Sequence, residues 1–298
     1  MANRRANLRY DNTVNAIHLS SGGVFRRSLF FRPPNRPGSL PLVVMLHGTG
    51  GSAQFSADET EWASFAAGQG FAVAFPDGLP IDPNSPPRFL TNPQRWNDGS
   101  TKPGDPLHTD TEDVRFLADL IRHLIEQWGV DPSRVYLAGF SNGAGMAFRF
   151  AAERGDLLAA VAPVAGYCHV RGDRVVSHPV PTLYVVGDAD LLIPLHGGTA
   201  RVPWGNQVVP RVAVADTLAK WARIIGCEPT AREVANDGDV TEAFYPGPVE
   251  FRSVTVRGLG HHWPGGKGQF NPRIGGPFSD RLNANERLWT FFQSHRRG

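Results

Sequence analysis

The chain has 298 residues, of which 41% are hydrophobic and 19% charged, and its 30 basic and 28 acidic side chains leave a formal net charge of +2. That length suffices for one large core, and the interspersed charges lack the clustered basic footprint that a nucleic-acid backbone attracts. No apolar run approaches the roughly 20 residues that cross a bilayer. No apolar stretch of about 7 to 15 residues follows the basic start MANRRANLRYDN, so no secretory signal is visible and the chain is expected to be cytoplasmic, or exported with a signal already removed. The basic pairs Arg4, Arg5 and Arg296, Arg297 are read as solvated chain ends. Cys168 and Cys227 are too few for a disulfide framework and do not have metal-ligand spacing, so neither a metal nor a redox role is expected.

In chain order, the first strands are the buried runs Leu42–Leu46 (LVVML) and Phe71–Phe75 (FAVAF). A helix should open at the capping box Thr109, Asp110, Thr111, Glu112, carry the stripe Val114, Leu117, Ile121, Leu124, Ile125, Trp128, and stop at Asp131 and Pro132. Strand Val135–Ala138 and a helix from Asn142 to Glu153 follow, then strands Ala159–Val164 and Leu183–Val186. A helix from Pro210 to Ile225, a strand reading SVTVRG and a last helix from Asn283 to His295 complete the chain. Short apolar strands alternating with helical segments predict an α/β fold, a mostly parallel central sheet with helices on both faces, in a single domain over 1–298. Gly78–His108 and Pro264–Arg281 break the rhythm. Both exceed the length of ordinary connections and are read as loops walling an active-site mouth.

The chemistry centres on Gly139, Phe140, Ser141, Asn142, Gly143, a GxSxG placed directly between a strand and a helix. A serine at such a turn is pushed out above the sheet, and flanking glycines are needed because side chains there would meet neighbouring backbone. The helix behind it points its first amides at the same spot, favouring the charge that develops on an attacked carbonyl oxygen. A serine nucleophile needs a histidine base and an orienting carboxylate, in the order serine, acid, histidine for this fold. Asp188 and Asp190 follow the strand LYVV, and His261 and His262 follow SVTVRG. The order is therefore Ser141, Asp190, His261, with Asp188 and His262 as neighbours of the same type. Thr49, in the run His47, Gly48, Thr49, Gly50, Gly51, joins Asn142 as the second amide of an oxyanion hole, while His47 is expected to brace the loop. Trp263 beside the histidines and Trp96 in the first long loop are candidate substrate-binding walls. No cofactor is implied.

The pieces LHGTGGSA, FPDG, RWN (95–97), EDVRFL, VDPSRVYLAGFSNGAGM, AAVAPVAG, PVPTLYVVGDAD and GHHWPGG together resemble the esterase and polyhydroxybutyrate depolymerase family of α/β-hydrolases, which also holds feruloyl and acetylxylan esterases. The resemblance spans about Leu40 to Gly266 and implies a base at His261 rather than His262 and an acid at Asp190. Asp188 stands where the family has a threonine, which creates the rival carboxylate. Secreted relatives pair a cysteine at the Cys227 position with one where this chain has Pro248, so the resemblance implies a reduced Cys227 here. The implied function is hydrolysis of an ester substrate, small or polymeric, of the polyhydroxyalkanoate-depolymerase or feruloyl-esterase type. The alternatives are an amide or polyamide such as poly(aspartic acid), cleaved with the same triad, and a binding protein on this fold with an inactive triad.

Overall fold

A computed structural model describes residues 14–100, 111–172 and 175–298. Arg4, Arg5, Thr109, Asp110 and residues 101–108 of the first long loop lie outside them.

The strands, in chain order, are β1 (Asn15–Ser21), β2 (Val24–Phe31), β3 (Leu40–Leu46), β4 (Ala72–Pro76), β5 (Leu79–Pro80), β6 (Gln94–Arg95) and β7 (Val130–Phe140). They continue as β8 (Ala160–Val164), β9 (Thr182–Gly187), β10 (Gly198–Val202), β11 (Gln207–Arg211), β12 (Arg232–Asn236), β13 (Val240–Tyr245) and β14 (Phe251–Val256). Every residue of β3, β4, β8 and β9 is buried, which is why these segments read as unbroken apolar runs. Ten strands form one sheet in the order β1-β2-β4-β3-β7-β8-β9-β14-β13-β12. From β4 to β14 all pairs are parallel. Antiparallel ribbons close both edges, β1–β2 against β4 and β12–β13 against β14.

Two apolar layers follow from the period-two alternation of the strands. In β3, Leu42, Val44 and Leu46 join one cluster, with Phe116, Leu120, Phe148 and Trp221 from helices Asp113–Trp128, Asn142–Arg154 and Val214–Ile224. Val43 and Met45 join the other, with Trp62, Trp289 and Phe292 from helices Trp62–Gln69 and Ala284–Gln293. Asn283 caps the last helix, its side chain accepting from the Glu286 amide. The helix expected from Thr109 instead starts at Asp113. Glu112 is its N-cap without a side-chain bond, and the Asp113 carboxylate of the first turn accepts from Arg26 and from the Asn97 amide.

The two long connections are more ordered than their composition suggests. The first contains the β5–β6 ladder and the buried residues Asn92, Trp96, Asn97 and Asp98, and the second contains a helical turn, Pro272–Gly275. Arg297 is also no free chain end, since its amide donates to Ser133 O at 2.9 Å. The loops carrying Gly48, Ser141, Asp190 and His261 all leave the C-terminal ends of parallel strands β3, β7, β9 and β14, the edge at which ligands bind in open α/β sheets.

Candidate active site

Ser141 sits at φ 57° and ψ −117°, outside the regions that L-residues favour, and such strain persists only where the surroundings over-determine it. Here they do. Its amide donates to Val164 O of β8 at 2.9 Å, and its carbonyl accepts from Ala144 N and Gly145 N at 3.0 and 3.2 Å. The glycine requirement is steric: a Cβ on Gly139 would lie 2.1 Å from Gly143 O, and one on Gly143 2.5 Å from Leu46 O.

Of the two acids and two histidines near the sheet edge, one pair meets. Asp190 is buried; its Oδ1 accepts from the amides of Leu192 and Ile193 at 2.8 and 2.7 Å, and its Oδ2 lies 2.8 Å from His261 Nδ1. A carboxylate only accepts, so Nδ1 carries the proton and Nε2 is left as the basic nitrogen. Asp188 is exposed and its carboxylate accepts from Gly258 N at 2.6 Å. His262 instead directs its Nε2 to Gly276 O at 2.9 Å. The Phe140 ring packs 4.7 Å from His261, bringing the residue before the serine against the imidazole.

The glycine loop after β3 is fixed from below by His47. Its Nε2 accepts from Gly78 N at 2.9 Å, so its Nδ1 donates to Gly48 O at 2.7 Å. Burial holds its pKa below the usual histidine value and keeps it neutral, suited to bracing. Thr49 lines the same cavity as Ser141 and His261. Asn142 opens the helix behind the serine with its side chain already engaged: Oδ1 accepts from Trp96 N at 2.7 Å, and Nδ2 donates to Trp96 O and to Asp98 Oδ2 at 3.1 and 2.8 Å.

Neither tryptophan expected at the substrate wall lines the cavity that Ser141 and His261 share, although Trp263 borders a smaller cavity with Gly48, Phe55, Phe140 and Phe270. Trp96 is fully buried and its indole Nε1 donates to His47 O at 2.9 Å, so it supports the glycine loop from within the core. Trp263 is 2% exposed, with Nε1 donating to Asn285 Oδ1 at 3.0 Å and its ring against Trp62 at 6.5 Å. Proximity in sequence to the histidine did not decide its direction, because the indole N–H needed a buried acceptor and found one in the last helix.

Ser141 and His261 instead open on a cavity of about 250 Å³ whose aromatic walls are Phe55, Phe89, Phe140, Trp204 and Phe270. Phe89 lies 5.6 Å from Trp204 and 6.3 Å from Phe270, and Trp204 Nε1 donates to Phe89 O at 2.7 Å, tying the first long loop to the β10–β11 hairpin. The sequence reading missed Trp204. A tryptophan between Pro203 and Gly205, where a buried helix or strand is improbable, was the available signal. Cys168 and Cys227 are both buried and unbridged.

Comparison with known proteins shows what the chain resembles in sequence and in fold. The sequence profile of the family described as Esterase PHB depolymerase matches residues 25–178. A putative esterase, NocK, of Nocardia uniformis subsp. tsuyamanensis is 30% identical over 84% of this chain and 73% of its own. Feruloyl esterase B of Piromyces equi is 30% identical over 76% of this chain but only 40% of its own length, so this chain spans less than half of that protein. The solved acetyl xylan esterase from Aspergillus awamori superposes with a TM-score of 0.58 at 15% identity, covering 83% of this chain and 94% of that one, a likeness of fold. The fold is that of the α/β-hydrolases.

Proposed function

This chain belongs to the esterase PHB depolymerase family of carboxylic ester hydrolases, and on that premise we propose that it cleaves its esters by two-step acyl transfer at Ser141. His261 Nε2 takes the Ser141 proton as Oγ attacks the ester carbonyl, and the same imidazole protonates the departing alcohol. Water, activated by His261, then attacks the acyl-enzyme and releases the acid. Asp190 keeps the proton on Nδ1 and offsets the charge of the imidazolium that forms. The backbone amides of Thr49 and Asn142 donate to the carbonyl oxygen as it becomes an oxyanion. The observation carrying this reading is the buried 2.8 Å pair of Asp190 and His261 beside a cavity that Ser141 also lines.

For substrate, the aromatic walls favour an ester with a flat or short acyl group, of hydroxycinnamoyl or hydroxyalkanoate type, over long-chain triacylglycerols. A panel of p-nitrophenyl acetate and butyrate, methyl hydroxycinnamates, hydroxybutyrate oligomers and a long-chain triacylglycerol tests this. Turnover of the first classes well above the last is expected. A preference for the triacylglycerol, or no ester turnover at all, would contradict it.

A further inference from the structure

Glu59 is a charged side chain in the interior that the reaction above does not use. It lies near the end of helix Ala53–Thr60 and is 6% exposed. An ionised carboxylate is stable there only if its oxygens are hydrogen-bonded. Oε1 accepts from Gly268 N and Oε2 from Gln269 N, both at 2.9 Å, while the Glu59 carbonyl accepts from Lys267 N at 3.0 Å. Three successive amides of a distant loop therefore converge on one residue. The curl depends on Gly265 and Gly268, at φ 71° and 66°, and on the bare Cα of Gly266, where a Cβ would come within 2.7 Å of Glu59 O.

The chain leaving this curl forms one wall of the substrate cavity through Gln269, Phe270, Asn271 and Ile274. The Phe270 ring lies 6.0 Å from His261. At its other end, the helix bearing Glu59 begins just after the Gly48–Gly51 loop and is anchored by Ala53 N donating to Asp77 Oδ1 at 2.7 Å. Phe55 of the same helix also lines the cavity. One short rigid element thus joins the glycine loop beside Ser141 to the opposite wall.

We propose that Glu59 is a positioning residue that sets the size selectivity of the cavity by holding the Gln269–Ile274 wall at a fixed distance from the glycine loop. The proposal rests on the Ser141 cavity being the ester site. A carboxylate satisfies both amides because each oxygen accepts. In Glu59→Gln one oxygen is replaced by an NH2 that faces a backbone N–H, so one of the two loop amides loses its acceptor while side-chain size is kept.

The test measures kcat and KM for wild type, Glu59→Gln and Gly268→Ala on p-nitrophenyl acetate and on the largest ester that the wild type turns over. In Glu59→Gln, KM for the large ester should rise about tenfold, the factor expected from losing one hydrogen bond of this kind. The acetate should shift by less than about threefold, because it barely reaches the wall. Gly268→Ala attacks the same curl from the loop side, since its Cβ would lie 2.9 Å from the Phe278 ring at a φ that side chains disfavour. It should give the same split even if Glu59→Gln folds poorly. Equal changes for both esters, or a lowered Tm with unaltered kinetics, would overturn the role of Glu59 and leave Ser141 standing. A wild type without ester turnover would overturn both.

Discussion

Asp188 and Asp190 stand two residues apart at the end of β9, and their surroundings give them different work. Asp190 is enclosed, with two amides on one oxygen and the imidazole on the other, whereas Asp188 sits in solvent and caps the turn at Gly258. Replacing Asp190 with Asn removes the acceptor that fixes the His261 tautomer, and kcat should fall by about 10³–10⁴. Asp188→Asn should cost less than about fivefold, because an exposed cap affects only the local turn. Steady-state kinetics on one aryl ester decides the matter, and a larger loss from Asp188→Asn would move the acid by two positions. Ser141 was legible from its own neighbours, since strand, glycines and helix are all local. The choice of Asp190 and His261 within their pairs came from the family resemblance and not from local sequence, because it depends on which side chains meet across 71 residues.

At the scale of elements, the parallel strands were legible because burial on both faces leaves short apolar runs with no alternative reading. The edge ribbons were not. Every residue of β12 is exposed and β13 is mostly half-buried, so neither carries an apolar stripe. Helices Ala53–Thr60 and Trp62–Gln69 also escaped notice, broken as they are by Glu61 in the left-handed region at φ 52°. Trp263 shows the limit of inference from position in a loop. It packs between Trp62 and the last helix and is held by Asn285, which in turn donates to Thr60 O at 2.6 Å. Trp263→Ala should therefore cost about 3–5 kcal/mol, as for other buried tryptophans, and lower Tm by roughly 10 °C. The kcat/KM of the enzyme that remains folded should change little. A thermal melt beside kinetics at low temperature checks this, and an unchanged Tm with a raised KM would return Trp263 to the substrate wall.

Across the whole molecule, the sheet edge gathers Ser141, Asp190 and His261, the proposed triad, and a buried polar network holds the loops above it. Arg26 of β2 pairs with Asp113 at 2.7 Å, and the other Asp113 oxygen accepts from Asn97 N, in the segment that buries Trp96 under His47 and engages Asn142. Removing one partner of such a pair strands a charge in the interior, so these residues act together to keep the Trp96–Asp98 segment in place. The fragments RWN and EDVRFL carried part of the family resemblance in the sequence, and this network, visible once β2 and the helix Asp113–Trp128 are side by side, gives the two a shared physical reason. All of it serves one claim, that Ser141 forms the covalent intermediate. Peptide mass spectrometry of the protein inactivated by a fluorophosphonate tests that claim most directly. The label should appear on the peptide containing Ser141, with complete loss of ester hydrolysis, and should be absent from an inactive but folded Ser141→Ala variant. Inactivation with the label on another residue, or hydrolysis retained by Ser141→Ala, would contradict it.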